Sequence, residues 1–578
     1  MQLLQHFKEL TLRPKNAQEL KGLILQLAIQ GKLTANWRKE NQDIETASEL
    51  LNKIKKEKEQ LVKDKKIRKE KVLPVIEKHE IPFKSPSKWG WYRLRDVGLT
   101  MTGGTPSKSN SNFFGDDIPF LKPGDIKDWK VNYENEGLSL LGQEKLGRTA
   151  ISGSVLMVCL GTIGKCAIIN RDCSFNQQIN SITPLLISSH YLLNCLSSKY
   201  FYDTAWEKST STTIALLNKG KWESIPIPLP PLEEQKEIVN VVETLFKEVE
   251  QLEQLTVARN GLKEDFVTSA LQQLTANNAN QEWINLRDHF KSFFNETTNI
   301  KKLRETILQL AVQGKLTRAF RESHPEFVSG SHHASQLLKR IQEEKAQLVK
   351  DKKIKKEKAL PAITEDEIPY ELPDGWIWCR MIELCQYITD GTHQTPKYTE
   401  EGRMFLSAKN VKPFKFMPEK HRFVSEEDFE GYRRNRKPEL NDILLTRVGA
   451  GIGEATLIDQ DLEFAIYVSV GLLKMFPYKL EPNYIVMWLN SPEGRQYSSK
   501  NTYGKGVSQG NLNLSLIRQF VVSLPPLEEQ KAIVEKVNTL MGLCDALAQE
   551  VQQSQQHSEM MMQSVLKEVF EPNNLNEL

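Results

Sequence analysis

The chain has 578 residues, a formal net charge of +3, and 26% charged against 39% hydrophobic residues, the balance of an ordinary soluble protein. That length exceeds a single hydrophobic core and predicts three or more packed units, while so mild a charge argues neither for a nucleic-acid partner nor against one. No apolar run approaches the roughly eighteen residues that span a membrane, and residues 1–6 lack the basic-then-apolar start of a secretory leader.

Residues 1–84 predict a helical arm: a short helix over 16–33 stopped near Gly31, then a polar, Lys/Glu-laced helix over 45–71 ended by Pro74. Over 85–228 tryptophan, glycine, β-branched residues and short alternating runs replace the helical period, which predicts a compact α+β domain of mixed strands. Within it, 155–160 and 166–169 read as a hairpin around a glycine turn, and 191–203 as a helix. Residues 229–298 predict a long helix and connector. A second arm follows over 299–371, with a polar helix over 332–358 ended by Pro361. Residues 372–523 predict a second α+β domain, with a hairpin at 443–447 and 455–458 and a helix at 484–499. Residues 524–578 predict a C-terminal long helix.

The second half repeats the first. Ile-Leu-Gln-Leu-Ala-Ile-Gln-Gly-Lys-Leu-Thr at 24–34 returns with one change at 307–317, an offset of 283. Leu-Val-Lys-Asp-Lys-Lys-Ile at 61–67 returns at 348–354, an offset of 287, and Glu-Ile-Pro-Phe at 80–83 as Glu-Ile-Pro-Tyr at 367–370. Leu-Pro-Pro-Leu-Glu-Glu-Gln-Lys at 229–236 returns at 524–531, an offset of 295, so small insertions separate otherwise parallel halves. The helical segments match almost residue for residue. The domains match only at framing positions such as Trp91/Trp378, Phe120-Leu121/Phe405-Leu406 and Gly164/Gly453. A scaffold that stays alike while its inserts diverge predicts inserts that bind different things in the same way.

Each Leu-Pro-Pro-Leu-Glu-Glu-Gln block opens a long helix: proline suits the first turn, and Glu233/Glu234 and Glu528/Glu529 lie at the positive end of the helix dipole. Behind them Ile238, Val242, Leu245, Val249 and Leu252, and Ile533, Val537, Leu540, Cys544, Leu547 and Val551, alternate steps of four and three, the seam of a coiled coil. Two matching seams predict helices that pack on each other; the plainer alternative is two helices each packing on its own domain. The lysine runs of the arms read first as solvated faces. Lys63, Lys65 and Lys66, with Lys350, Lys352 and Lys353, are the candidates for contact with DNA phosphates.

Three searches for reaction chemistry give little. Gly-Ala-Gly-Ile-Gly at 449–453 is flanked by strand-like residues on both sides rather than opening a helix, so it reads as a hairpin turn and not a phosphate loop. Asp117 with Asp125 and Lys127 has the look of a metal-dependent nuclease set, but the second copy carries Asn410 in place of Asp125. No metal-binding histidine spacing, Gly-x-Ser-x-Gly elbow or amino-methyltransferase motif occurs. The seven cysteines, with Cys159, Cys166 and Cys173 evenly spaced but without a C-x-x-C step, read as reduced thiols in a cytoplasmic protein. No catalytic residue, metal ligand or cofactor site is therefore expected in this chain.

What remains is binding through loops that hold Lys, Arg, Asn, Gln, Thr and aromatic residues. In the first insert the candidates are Thr102, Thr105, Lys108, Lys122, Lys127, Arg148, Lys165, Gln177 and Gln178. In the second they are Thr392, His393, Gln394, Lys397, Lys409, Asn410, Arg433, Arg434, Arg436, Arg447, Tyr503, Lys505 and Gln509. Arg and Lys can bond guanine O6 and N7, and Asn and Gln adenine N6 and N7, in a major groove.

The ordered set of Ile-Leu-Gln-Leu-Ala-Val-Gln-Gly-Lys-Leu-Thr, Leu-Pro-Asp-Gly-Trp-Ile-Trp at 372–378, Tyr-Gly-Lys-Gly at 503–506 and Leu-Pro-Pro-Leu-Glu-Glu-Gln-Lys before a long helix resembles the specificity (S) subunit of type I restriction–modification enzymes over essentially the whole chain. That resemblance implies two target recognition domains, 85–228 and 372–523, separated by an antiparallel coiled-coil helix pair, each domain reading one half of a split double-stranded DNA site. It implies two modification subunits that carry S-adenosylmethionine and methylate adenine, and two restriction subunits that use ATP and Mg²⁺, with no activity and no cofactor in this chain. One departure stands: 212–220 lacks the Tyr-Gly-Lys-Gly form found at 503–506. The alternatives are a coiled-coil scaffold that binds proteins rather than DNA, and a nuclease built on Asp117, Asp125 and Lys127.

Overall fold

The computed structural model of the protein describes residues 14–210, 215–275, 284, 286–434, 436–476, 478–500, 502–503 and 510–570. They form two compact units, Met1–Asn260 with Gln556–Leu578, and Gly261–Gln555. Length alone predicts three or more units. There are two because the amphipathic arm helices bury their apolar faces in the same core as the insert that follows, instead of forming cores of their own.

In the first unit the arm is α1 (Pro14–Ile29) and α2 (Ala47–Lys63). Proline opens α1 where no N–H is needed, and Gly31 ends it in the left-handed region at φ 68, with Gly31 N–H bonded to Ala28 O and Lys32 N–H to Leu27 O. Thr46 and Glu49 cap α2 reciprocally. This helix stops at Lys63, well short of the expected 71, because Lys65 takes the left-handed conformation at φ 55 and turns the chain. The insert begins on β1 (Gly90–Arg93) and β2 (Gly98–Thr102), continues through β3 (Phe114–Leu121), β4 (Val155–Val158), β5 (Cys166–Ile168) and β6 (Ile179–Pro184), passes α3 (Ser189–Leu196) and α4 (Lys199–Lys208), and ends on β7 (Pro226–Leu229). Strands β2-β6-β4-β5 form one antiparallel sheet in that order, and β1 pairs with β7 from Gly90↔Leu229 to Arg93↔Pro226. Both faces of the sheet are covered. Val155 and Met157 of β4 join the core that holds Leu20, Ile24 and Leu50 of the arm, while Leu156 and Val158 face a second core with Phe175 and Ile179. The expected hairpin is β4–β5. The expected helix over 191–203 is two helices, because Ser198 accepts the Phe201 N–H and starts a new one.

The second unit repeats this plan. Its arm is α6 (Thr297–Val312) and α7 (Ala334–Lys350), where α5 is the long helix Leu232–Thr275 that follows the first insert. Its sheet is β9 (Cys385–Asp390), β12 (Val470–Met475), β10 (Ile443–Thr446) and β11 (Ala455–Leu457), closed by the pair β8 (Ile377–Arg380) and β13 (Val521–Leu524). Helices α8 (Pro482–Asn490) and α9 (Pro492–Lys500) again divide the expected single helix at a serine, Ser491, and α10 (Leu527–Phe570) closes the described chain. Here α7 stops at Lys350 rather than at 358, with Lys352 left-handed at φ 57.

The long helices α5 and α10 have 44 residues each. Of the α5 seam, Ile238, Val242 and Val249 are buried and Leu245 and Leu252 half-buried, all packed in the first unit's core with α1. Of the α10 seam, Ile533, Val537, Cys544 and Val551 are buried and Leu540 and Leu547 half-buried, in the second unit's core with Ile300 and Ile307 of α6. Val267, Ala270, Leu271 and Leu274 of α5 share that core, so α10 shares it with a stretch of α5 beyond the seam residues singled out. All seven cysteines are free and buried. Among the described residues no helix is long and apolar enough to cross a membrane.

Candidate nucleic-acid interface

What fixes each insert on its arm is the second glutamate of the Leu-Pro-Pro-Leu-Glu-Glu-Gln block. Glu234 is fully buried at the start of α5. Its Oε1 accepts from Thr34 Oγ1 at 2.7 Å and from Arg38, and its Oε2 from Trp89 Nε1 at 2.7 Å. Glu529 repeats this with Thr317 at 2.7 Å, Arg321 at 2.5 Å and Trp376 at 2.8 Å. The next residue completes the joint: Gln235 accepts from Ser188 N–H and donates to Pro230 O, as Gln530 does with Glu481 N–H and Pro525 O. A buried carboxylate persists only when paired, so arm, insert and long helix are tied at one point in each unit. A second tie runs through Arg93, which bonds Glu80 at 2.7 and 2.8 Å and Ser224 O, and through its counterpart Arg380 on Glu367 and Gln519 O. These arginines hold the Glu80 and Glu367 carboxyls down at about 2.

With the insert fixed, one end of its sheet carries most of the sequence candidates. In the first unit β2 ends at Thr102, whose hydroxyl bonds Asn180 Oδ1, and the loop beyond is held by Gly103 N–H on Ile179 O and Gly104 N–H on Phe175 O. A Cβ on Gly103 would lie 2.1 Å from Asn176 O, so only glycine allows this approach. Around it gather Thr105, bonded to Gln177 Oε1 at 2.7 Å, Arg148, whose Nη1 donates to Gly103 O at 2.6 Å, and Gln178, which accepts from Asn176 Nδ2. Cys159 N–H on Gln178 O places the β4–β5 turn, with its exposed Lys165, beside them. Lys108 and Lys127 are exposed, whereas Lys122 is paired with Glu136.

The second unit has the same frame and different chemistry. Gly391 takes the place of Gly103, with Ile466 O 2.1 Å from a built Cβ. Asp390 stands where Thr102 does, Arg447 where Cys159 does, and Gly471 where Asn180 does. Arg447 is buried, paired with Asp390, and donates to Leu512 O at 2.9 Å and Val468 O at 3.2 Å. His393, on the exposed loop, bonds the same Asp390 at 3.1 Å. Burial pulls the Arg447 guanidinium down from its usual range while Asp390 opposes it. Gln394, Lys397, Lys409 and Arg434 are exposed and Arg436 half-buried, while Thr392 is buried and accepts from Gln394 N–H. Arg433 is buried against Glu463 at 3.1 Å and over the Phe429 ring. Tyr503 pairs its backbone with Asn511 in a short ladder; Lys505 and Gln509, like residues 211–214 of the first insert, lie outside the described residues.

Several expectations change on this geometry. Arg447 and Arg433 are interior structural groups in this state and not free readers of bases. Asn410 is 2% exposed, accepting Ser407 N–H and donating to Met417 O, so it too leaves the set of DNA contacts. Its counterpart Asp125 holds the equivalent turn, accepting from Lys122 N–H and Asn135 Nδ2, while Asp117 caps Leu140 N–H on another element. The two carboxylates of the nuclease reading thus serve separate backbone sites. The 449–453 segment is the β10–β11 turn, closed by Gly453 N–H on Thr446 O. Sequence reasoning placed Glu234 and Glu529 only at the helix dipole and missed their partners Trp89 and Trp376; the exact repetition of all four in both halves was the available signal.

A family model described as the type I restriction modification DNA specificity domain matches residues 86–258 and 374–554. The type I restriction enzyme EcoAI specificity subunit of Escherichia coli is 28% identical over 566 residues, covering 92% of this chain and 90% of that protein. The EcoEI specificity subunit of Escherichia coli is 28% identical over 563 residues, covering 93% and 91%. A solved chain described with the complex assembly and conformational transition of the type I R-M system aligns with 85% of this chain and 99% of that one, at 17% identity and a TM-score of 0.49.

Proposed function

The chain belongs to the type I restriction modification DNA specificity family, and from that membership we infer that it is the DNA-reading subunit of a type I restriction–modification complex. Each insert, 85–228 and 372–523, reads one half of a bipartite duplex site. The long helices set the unread spacer and dock the modification subunits; at 1.5 Å per residue each is about 66 Å long. Two modification and two restriction subunits supply the chemistry and carry S-adenosylmethionine, ATP and Mg²⁺, and the chain itself is a non-catalytic cytoplasmic component. The protein-only scaffold and the nuclease have no support beside the family membership. The observation that carries this reading is the paired sheet ends: one backbone frame, wedged by Gly103 or Gly391, holds exposed Thr105, Lys108, Lys165 and Gln177 in one half and exposed His393, Gln394 and Lys397 in the other.

The test is to map methylated adenines in cells that carry the complex, with residues 372–523 either native or replaced by the matching insert of another family member. One half-site changes while the other half-site and the spacer stay. If both half-sites change, or neither does while methylation persists, the assignment of one insert to one half-site fails.

A further inference from the structure

The two arms carry a feature that the reading ends do not absorb. Residues 63–71 and 350–358 each hold six basic side chains and two acidic ones in nine positions, and they differ only by Arg68 against Lys355. All twelve basic residues are exposed, and none forms an ion pair among the described residues. The acids are committed elsewhere. Asp64 accepts from Gln60 at 2.8 Å and Asp351 from Gln347 at 2.7 Å. Glu70 lies 3.7 Å from Lys58 and 3.5 Å from Arg95, and Glu357 lies 3.9 Å from Lys345 and 3.6 Å from Arg518. The net result is an outward face of positive charge in each unit.

The backbone shows that this charge is held in one geometry. Lys65 N–H bonds Val62 O and Lys66 N–H bonds Leu61 O, as Lys352 and Lys353 do with Val349 O and Leu348 O. This is the helix-ending turn that favours glycine at its left-handed position, yet lysine stands there in both halves, at φ 55 and φ 57. Each turn is also tied to the strand that leads to the reading end. Arg95 bonds Glu223, which accepts from Thr100 Oγ1 at 2.7 Å; Arg518 donates to Ile388 O at 2.5 Å. Thr100 and Ile388 stand two residues before Thr102 and Asp390, roughly 7 Å along the strand.

We propose that residues 63–71 and 350–358 are phosphate clamps that hold the duplex backbone beside each reading end. This rests on the reading that the chain binds DNA. The inserts differ because half-sites differ in their bases; the arms are alike because the phosphate backbone is the same at both. A protein partner fits less well. Lysine is depleted at protein interfaces, and the apolar groups a partner would use are not shared: Val72 and Val75 are 97% and 87% exposed, but alanines 359 and 362 replace them in the second arm.

The test uses the chain assembled with its modification subunits and a duplex carrying its mapped site, with affinity measured against salt. Lys65→Gly with Lys352→Gly removes two charges while giving each turn the residue its backbone favours, so the fold stays at least as stable. Lys63→Gln, Lys66→Gln, Lys350→Gln and Lys353→Gln extend the series. The slope of log K against log salt falls by about 0.9 for each lysine removed, with half-sites unchanged, and Lys→Arg versions keep the slope. An unchanged slope overturns the proposal. So does loss of assembly with the modification subunits, which assigns the turns to protein docking. If the wild-type complex does not tell its site from a scrambled duplex, the functional reading fails instead, and the slopes on either duplex still decide the clamp.

Discussion

Trp89 and Glu234, 145 residues apart in the chain, meet through an indole N–H on a fully buried carboxylate at 2.7 Å. Replacing Glu234 by alanine leaves the Arg38 charge, the Thr34 hydroxyl and the indole without their shared acceptor. Breaking a buried ion pair from one side typically removes about 3–5 kcal/mol. Glu234→Ala is expected to lower the unfolding free energy of the first unit, read from urea denaturation, by that amount, and Glu529→Ala that of the second, with additive effects in the double variant. A loss below about 1 kcal/mol for either would mean that the joint does not hold the unit together.

A pH dependence distinguishes the halves. Where the first unit packs Phe83 against Trp91 and Tyr200, the second has Tyr370, Trp378 and Glu493, with the Tyr370 hydroxyl donating to Glu493 at 2.8 Å. Burial pushes the Glu493 carboxyl up from 4.5 to about 7, against the opposing hydrogen bonds of Tyr370 and Gln309. A raised acid favours the protonated native state: that contribution is complete below pH 4.5 and disappears as pH rises through about 7. Relative to Glu493→Gln, the wild-type chain is expected to lose roughly 3 kcal/mol of second-unit stability across that window, at about 1.4 kcal/mol per pH unit. Parallel stability curves for the two proteins would contradict it.

The buried Arg447–Asp390 pair predicts strong coupling. Arg447→Cys alone leaves Asp390 buried beside His393 only, a loss of about 3–5 kcal/mol. Adding Asp390→Thr and Gly471→Asn reproduces the neutral Thr102, Cys159 and Asn180 set of the first unit, in which Asn180 donates to Cys159 Sγ and accepts from Thr102. The triple variant is expected to recover most of the lost stability while the methylated half-site read by residues 372–523 is kept, since all three positions are interior. Thermal unfolding together with methylome mapping checks both outcomes. Additive losses across the three changes would show that the positions do not form one network.

Local patterns were legible in the sequence and distant partnerships were not. The hairpins at Val155–Val158 and Ala455–Leu457, the tandem repeat and the helix starts at Leu232 and Leu527 follow from alternation, glycine turns and proline placement. The ends of α2 and α7 were misjudged because lysine, not glycine, occupies the turning position, so the next visible stop signals were Pro74 and Pro361. The break at Ser198 was hidden by apolar residues that keep a helical period across it. Asn410 and Arg447 looked like surface readers because a polar residue at a strand end has the same signature whether it faces solvent or a buried partner. Glu234 could be read as a helix-dipole residue, but Thr34, from 200 residues upstream, becomes its partner only when the arm packs back.

The acid of each arm accepts an arginine from two different addresses. Glu70 takes Arg95, ahead of β2, and Glu357 takes Arg518, ahead of β13; Ile382 and Glu223 fill the positions left over. The acid of the arm therefore takes its arginine from either border of the insert, provided that each insert brings its own matching pair. A crossover at the domain borders keeps Arg95 with Glu223, or Ile382 with Arg518, in one insert, and a crossover inside a domain separates them.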